Sequence, residues 1–251
     1  MRPFWQSIRW IVYFGLLTVA AGRGGDAPVA SEEGVALAIV LDTSGSMQEE
    51  VPDRDGRPAR KYLIANRALQ AVVDRLERFV KGGAPGTVRK LRAGLIVFQG
   101  GQPREAIEFG DFAPERFRRW AAEFRKPEGA TPLGDSLRLA GQRVLGSTLS
   151  RKHVLVVTDG MNTAGPDPAR VLPDLRRQAQ QKQTTLGVHF IAFDVDAGVF
   201  APVKRLGATV VGAIDERQLQ SRLQTILEEK ILLEDEEPPG AGNRKQPSPA
   251  K

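Results

Sequence analysis

The stretch "VALAIVLD", residues 35–42, is apolar at every position until it stops on Asp42, the pattern of a strand buried on both faces. The segment that follows, "KYLIANRALQAVVDRLERFVKGG", spaces Ala65, Leu69, Val72, Leu76 and Phe79 three or four residues apart, which predicts an amphipathic helix closed by Gly82-Gly83. "LRAGLIVFQ" and "REAIEFG" then predict two strands joined by a "GGQP" turn, with a helix from "PERFRRWAAEF" after them. A helix opened by Thr131-Pro132, a second fully apolar strand "HVLVVTDG" and a helix "PARVLPDLRRQAQQ" follow, then a strand "LGVHFIAFD" and a short strand "ATVVGA". Asp215 opens a last helix with Leu219, Leu223, Ile226, Leu227 and Ile231 on one face. Strands alternating with helices predict an α/β fold: a doubly wound, mostly parallel central sheet with helices on both faces and one antiparallel edge strand.

The ends of the chain read differently. Residues 1–21 combine Arg2 and Arg9 with an uncharged run, 10–22, that ends in small residues. As a helix that run covers about 20 Å, short of a hydrocarbon core of roughly 30 Å. With Val19 and Ala21 before the break, it is expected to be a secretory signal peptide, or, if uncleaved, an amino-terminal membrane anchor. The chain is therefore expected outside the cytoplasm, periplasmic or secreted. Residues 22–33 read as a linker, 34–232 as the folded domain, and 233–251, rich in charge and proline, as a disordered tail.

Composition narrows the function. The chain has 251 residues, 41% hydrophobic, which is enough for one domain with a full core. It has no cysteine, so disulfides, thiolate ligands and a lipoprotein anchor are all excluded. The formal charge of +6 is interleaved with acids rather than gathered into a stripe with aromatics, so no nucleic-acid partner is expected.

In open α/β sheets, ligands bind beyond the carboxyl ends of the strands. Two of the predicted strands end on aspartate there, Asp42 and Asp159. If these strands are neighbours, Asp42, Ser44, Ser46, Thr131 and Asp159 converge. All five are hard oxygen donors, a set suited to Mg²⁺, Mn²⁺ or Ca²⁺ rather than zinc or copper. Without an ion, the repulsion between Asp42 and Asp159 is expected to weaken the fold or spread the loops. The alternative for each residue alone is ordinary N-cap and turn chemistry.

"DTSGSM", "GATPL" and "VVTDG", in that order, resemble the von Willebrand factor type A (vWA) domain and its metal-ion-dependent adhesion site. The resemblance spans about residues 34–232 and implies a Rossmann-like fold that binds proteins rather than transforming substrates. It assigns Asp42, Ser44 and Ser46 to the first loop of the site, Thr131 to the second and Asp159 to the third, with an Asp or Glu carboxylate of the partner completing the metal shell. The chain departs from the family in "QEEVPDRDGRPAR", a longer and more polar link than expected. A second reading within the family is a metal that only shapes the loops.

Enzyme readings fare worse. "FIAFDVDAGVF" mimics the opening of a haloacid-dehalogenase-type phosphatase, with Asp194 as nucleophile and Asp196 as acid and base, but no later acidic pair follows. No phosphate loop and no nucleophile elbow is present. Asp53, Asp55 and Gly56 imitate a calcium loop whose twelfth position is Ile64 instead of an acid. His153 and His189 read as packed histidines, and Met47 as loop packing.

Overall fold

The computed structural model describes residues 31–82 and 89–232; the signal-peptide or anchor segment, most of the linker and the tail lie outside them. Among the described residues there are eight strands: β1 (Glu32–Leu41), β2 (Glu50–Pro52), β3 (Pro58–Arg60), β4 (Leu91–Gln99), β5 (Gln102–Asp111), β6 (Leu149–Thr158), β7 (Gly187–Phe193) and β8 (Thr209–Ala213). The helices are α1 (Lys61–Lys81), α2 (Pro114–Glu123), α3 (Leu133–Leu145), α4 (Pro168–Gln181), α5 (Ala201–Arg205) and α6 (Glu216–Ile226).

Six strands form one sheet in the order β5-β4-β1-β6-β7-β8, parallel throughout except for β5. The chain moves outward from β1 to β4 and β5 on one side and to β6, β7 and β8 on the other. The reversal of strand order therefore falls between β1 and β6, where a doubly wound sheet opens a crevice. The antiparallel edge is made by a two-residue loop, Gly100-Gly101. Both residues have positive φ, 59° and 77°, the conformation of a tight hairpin that glycine adopts without penalty.

The uninterrupted apolar run of β1 is explained by its two faces. Val35, Leu37, Ile39 and Leu41 pack with α1 and α6, while Ala36, Ala38 and Val40 pack with α3 and α4 on the other side. Each large aliphatic side chain buried this way contributes roughly 1.5–3 kcal/mol. The predicted face of α1 is buried at all five positions. Among the described residues, no helix is long and apolar enough to cross a membrane.

Several boundaries differ from the sequence expectation. β1 starts at Glu32, inside the expected linker, because its first residues pair with the early residues of β6, Glu32 opposite Leu149. The helix expected to open at Thr131 begins at Leu133. The last helix keeps its register to Ile226 and then widens into a π turn, Leu227–Ile231, which still buries Leu227 and Ile231. The polar link after the first loop is an antiparallel hairpin, β2 against β3. Asp53 organises its turn: the side chain accepts from the amides of Asp55 (2.8 Å) and Arg57 (2.9 Å), which is turn chemistry in place of calcium ligation. The hairpin docks on Glu216, fully buried at the start of α6, which accepts from the Arg54 amide and is clasped twice by the Arg67 guanidinium at 2.8 and 2.6 Å.

His153 and His189 stack on adjacent strands with Nδ1 and Nε2 3.2 Å apart. Burial pulls His153 down to about 3, helped by the His189 charge, and pulls His189 down to about 4. Both are neutral in the fold and bind protons more readily when unfolded. Their contribution is therefore full above the ordinary histidine range and is lost as pH falls towards 4 and 3. The urea midpoint should fall between pH 7 and pH 4.5, and His189→Gln should reduce that fall; an equal fall in both chains would place the acid sensitivity elsewhere.

Candidate metal centre

Asp42 leaves the end of β1 while its amide still donates to Val157 O of β6, 2.9 Å away. The residue is 1% exposed. Its Oδ1 accepts from the Ser44 amide (2.8 Å), which curls the loop into an Asx turn, and its Oδ2 accepts from Thr158 Oγ1 (2.6 Å). Thr43 faces the opposite way and exchanges hydrogen bonds with the Phe98 backbone, 2.8 and 2.9 Å, which fastens the loop to β4. A single 3₁₀ turn, Gly45–Gln48, then brings Ser46 back above Ser44, with the two hydroxyl oxygens 3.1 Å apart. Met47, fully buried, anchors that turn in the core.

The other two loops close on the first. The Gly45 amide donates to Gly129 O (3.1 Å) and the Glu128 amide to Thr43 O (2.9 Å), so the second loop is laced to the first by its backbone. Thr131, 5% exposed, trades two hydrogen bonds with Thr163 of the third loop: its amide donates to Thr163 Oγ1 (2.8 Å) and its carbonyl accepts from the Thr163 amide (3.0 Å). Asp159 continues from β6, and Ser46 Oγ donates to its Oδ1 at 2.8 Å. Gly160 borders the space between the loops: a Cβ there would stand 3.9 Å from Thr131 Oγ1 and 4.0 Å from Ser46 Oγ. All five residues singled out in the sequence thus gather at the crevice between β1 and β6.

Burial dominates the electrostatics. The Asp42 carboxyl is pushed up to about 6, first by burial and then by the charge of Asp159, against the hydrogen bonds from Ser44 and Thr158. Asp159 is also raised by burial, opposed by Ser46 and Lys61. Lys61, the first residue of α1, has a side chain only 3% exposed, and its Nζ lies 3.2 Å from Asp159 Oδ2, 2.7 Å from Glu49 Oε2 and 2.9 Å from Asp194 Oδ2. Burial pulls its ammonium down, and the carboxylates of Glu49, Asp194 and Asp159 outweigh that and raise it overall. The expected repulsion of Asp42 and Asp159 is therefore partly neutralised by the chain itself.

The donor set is consistent with a hard divalent cation. Two carboxylates and three hydroxyls border one small space, and Gly160 keeps it clear of a side chain. Among the described residues, no three His, Cys, Asp or Glu side chains form a group that could hold a metal ion, here or elsewhere; the centre offers two carboxylates, and its other donors are hydroxyls. The phosphatase pair has other duties: Asp194 faces Lys61, and Asp196 caps a 3₁₀ turn by accepting from the Gly198 amide.

Comparison with known proteins fits this geometry. The model of the von Willebrand factor type A domain matches residues 37–162, half of the chain, and the chain belongs to that family. No curated protein sequence matches it. Among solved structures it is similar to the PilB minor pilin from Streptococcus sanguinis (TM-score 0.56, 14% identity, 78% of this chain and 61% of that one). It is similar also to proximal thread matrix protein 1 from the mussel byssus with zinc occupied MIDAS motif (TM-score 0.57, 17% identity, 78% of this chain and 48% of that one). A third is the vWF domain of the type V pili tip protein Mfa5 from Porphyromonas gingivalis (TM-score 0.54, 13% identity, 78% and 95%). The chain thus spans about half to three-fifths of the pilin and the byssus protein.

Three contributors escape a reading of the sequence. Thr158 looks like one more strand residue, Lys61 like a solvated helix start, and Glu49 like part of a polar link. The spacing of Thr158, one residue before Asp159, is the only signal that any of them carries. Thr158→Val keeps the shape of the side chain and removes the donor to a buried carboxylate, so it should cost about 2 kcal/mol of stability. Urea unfolding measures this; an unchanged midpoint would show that Asp42 does not depend on that hydrogen bond.

Proposed function

We propose that this domain captures a protein partner through a divalent cation held by Asp42, Ser44, Ser46, Thr131 and Asp159, with a carboxylate of the partner completing the metal shell. The observation that carries the reading is the convergence of those five oxygen-bearing side chains at the switch point of the sheet, laced together by loop-to-loop hydrogen bonds. Mg²⁺ is the first choice of ion, with Mn²⁺ and Ca²⁺ suited to the same donors. The bound ion would supply concentrated positive charge at the crevice. Asp42 and Asp159 supply the negative charge that holds it, and the neutral hydroxyls leave that charge undiminished towards an incoming anion. Thr131, on the second loop, would side with the partner-bound arrangement.

The domain is proposed to work outside the cytoplasm. The amino-terminal sequence has the form of a signal peptide, and two of the similar structures are a minor pilin and a pili tip protein. Binding rather than catalysis is proposed, because Asp194 and Asp196 are engaged in an ion pair and a cap.

Calorimetric titration of Mg²⁺, Mn²⁺ and Ca²⁺ into the wild type and Asp42→Ala tests the reading. The wild type should bind at least one of these ions, Asp42→Ala should lose at least tenfold in affinity, and Ser44→Ala or Ser46→Ala should lose less. Equal binding by wild type and Asp42→Ala would refute the centre. Hydrolysis of an aryl phosphate in Mg²⁺, abolished by Asp194→Asn, would replace adhesion by phosphatase chemistry.

Partner capture should be lost in a chelator while the fold survives, since the core is supplied by the sheet and helices. Pull-down of partners from an envelope extract with and without chelator, beside circular dichroism of the same samples, measures both. Chelator-insensitive capture would mean that partners engage another face.

A further inference from the structure

A lysine in the first turn of a helix opposes the positive end of the helix dipole, and a lysine almost fully removed from water needs paired charge. Lys61 does both: it opens α1, and its side chain is 3% exposed. Three carboxylates from three segments meet its ammonium: Glu49 after the first loop, Asp159 at the end of β6 and Asp194 after β7. Asp194 is presented with φ of 54°, in the left-handed region that aspartate tolerates better than most residues, while its amide donates to Ala213 O at 2.7 Å. The ammonium engages Asp159 Oδ2, whereas Oδ1 of the same carboxylate faces Ser46.

We infer that Lys61 is a tethered cation that sets the charge of the metal centre: it holds Asp159 in place when no ion is bound, weakens the centre's grip on a divalent ion, and makes the loaded centre more attractive to an anionic partner. This rests on the reading of the centre given above. At this centre the buried charges are Asp42, Asp159 and Lys61, whereas the Glu49 side chain is 67% exposed and that of Asp194 38%, where water screens them in part. Two buried carboxylates and one ammonium leave a single negative charge for the ion to meet. Without the ammonium there would be two. The same ion then leaves the centre one unit more positive in the natural chain than in a chain without Lys61. Asp159 is also restricted, because one of its oxygens is engaged by the lysine and the other by Ser46.

The test is calorimetry of Mn²⁺ into chelator-stripped wild type, Lys61→Met and Lys61→Arg, followed by acetate titrated as the carboxylate probe into each Mn²⁺-loaded chain. Lys61→Met should bind Mn²⁺ about tenfold more tightly or better, since one unit of nearby positive charge is gone. It should bind acetate more weakly, melt lower in chelator and recover more on Mn²⁺ addition than the wild type does. Lys61→Arg, which keeps the charge, should bind Mn²⁺ within about threefold of the wild type. If Lys61→Met does not fold without the ion, Lys61→Gln, which keeps a donor and loses the charge, carries the same comparison. Mn²⁺ binding by the wild type that loss of the lysine charge leaves unchanged or weakens overturns this inference alone. No Mn²⁺ binding by the wild type beyond that of Asp42→Ala overturns the centre and the inference with it.

Discussion

Asp42 and Asp159 leave water side by side at the ends of two central parallel strands, and burying like charges costs several kcal/mol per ion unless something meets them. Much of the surrounding construction answers that cost. Thr158 and the Ser44 amide hold Asp42, and Ser46 and Lys61 hold Asp159. Thr43 and the Gly45–Gly129 contact fix the loops that carry these groups. The contacts of Thr158 with Asp42 and of Ser46 with Asp159 could not form if β1 and β6 were not neighbours. The doubly wound topology is therefore the first condition of the site.

The insertion between the first loop and α1 gains meaning in this light. Its second residue, Glu49, meets Lys61 twice, through the side chain and through its carbonyl, which accepts from the Lys61 amide at 2.8 Å. Its hairpin then reaches Glu216 at the start of α6 through the Arg54 amide, and Arg217 returns a hydrogen bond to Arg54 O. Crevice, hairpin and last helix are thus joined by polar contacts, half-buried at Glu49–Lys61 and at Glu216 and exposed at Arg217, over a distance in sequence that no local pattern spans.

The fold was legible because burial on two faces leaves an unmistakable mark: β1 and β6 tolerate no polar residue between Ala36 and Leu41 or between Val154 and Val157. Four of the five candidate residues were legible as loop positions just after those strands, Asp42, Ser44 and Ser46 after β1 and Asp159 after β6, and Thr131 as a residue opening a helix. What was not legible depended on partners distant in sequence. The strands of the hairpin are three residues each, too short for an alternation to show. Glu216 and Lys61 have the composition of solvated helix starts, and only the tertiary contacts reveal that both are buried. The early residues of β1 and β6 are polar enough to read as loop until paired with each other.

The account turns on whether the crevice between β1 and β6 holds an ion, and X-ray diffraction from Mn²⁺-soaked crystals, recorded at a wavelength where manganese scatters anomalously, addresses it most directly. A single strong anomalous peak is expected in the space bordered by Asp42, Ser44, Ser46, Thr131 and Asp159, absent from crystals of Asp42→Ala grown and soaked alike. A crevice without a peak at saturating Mn²⁺, or a peak held by other carboxylates, would contradict it.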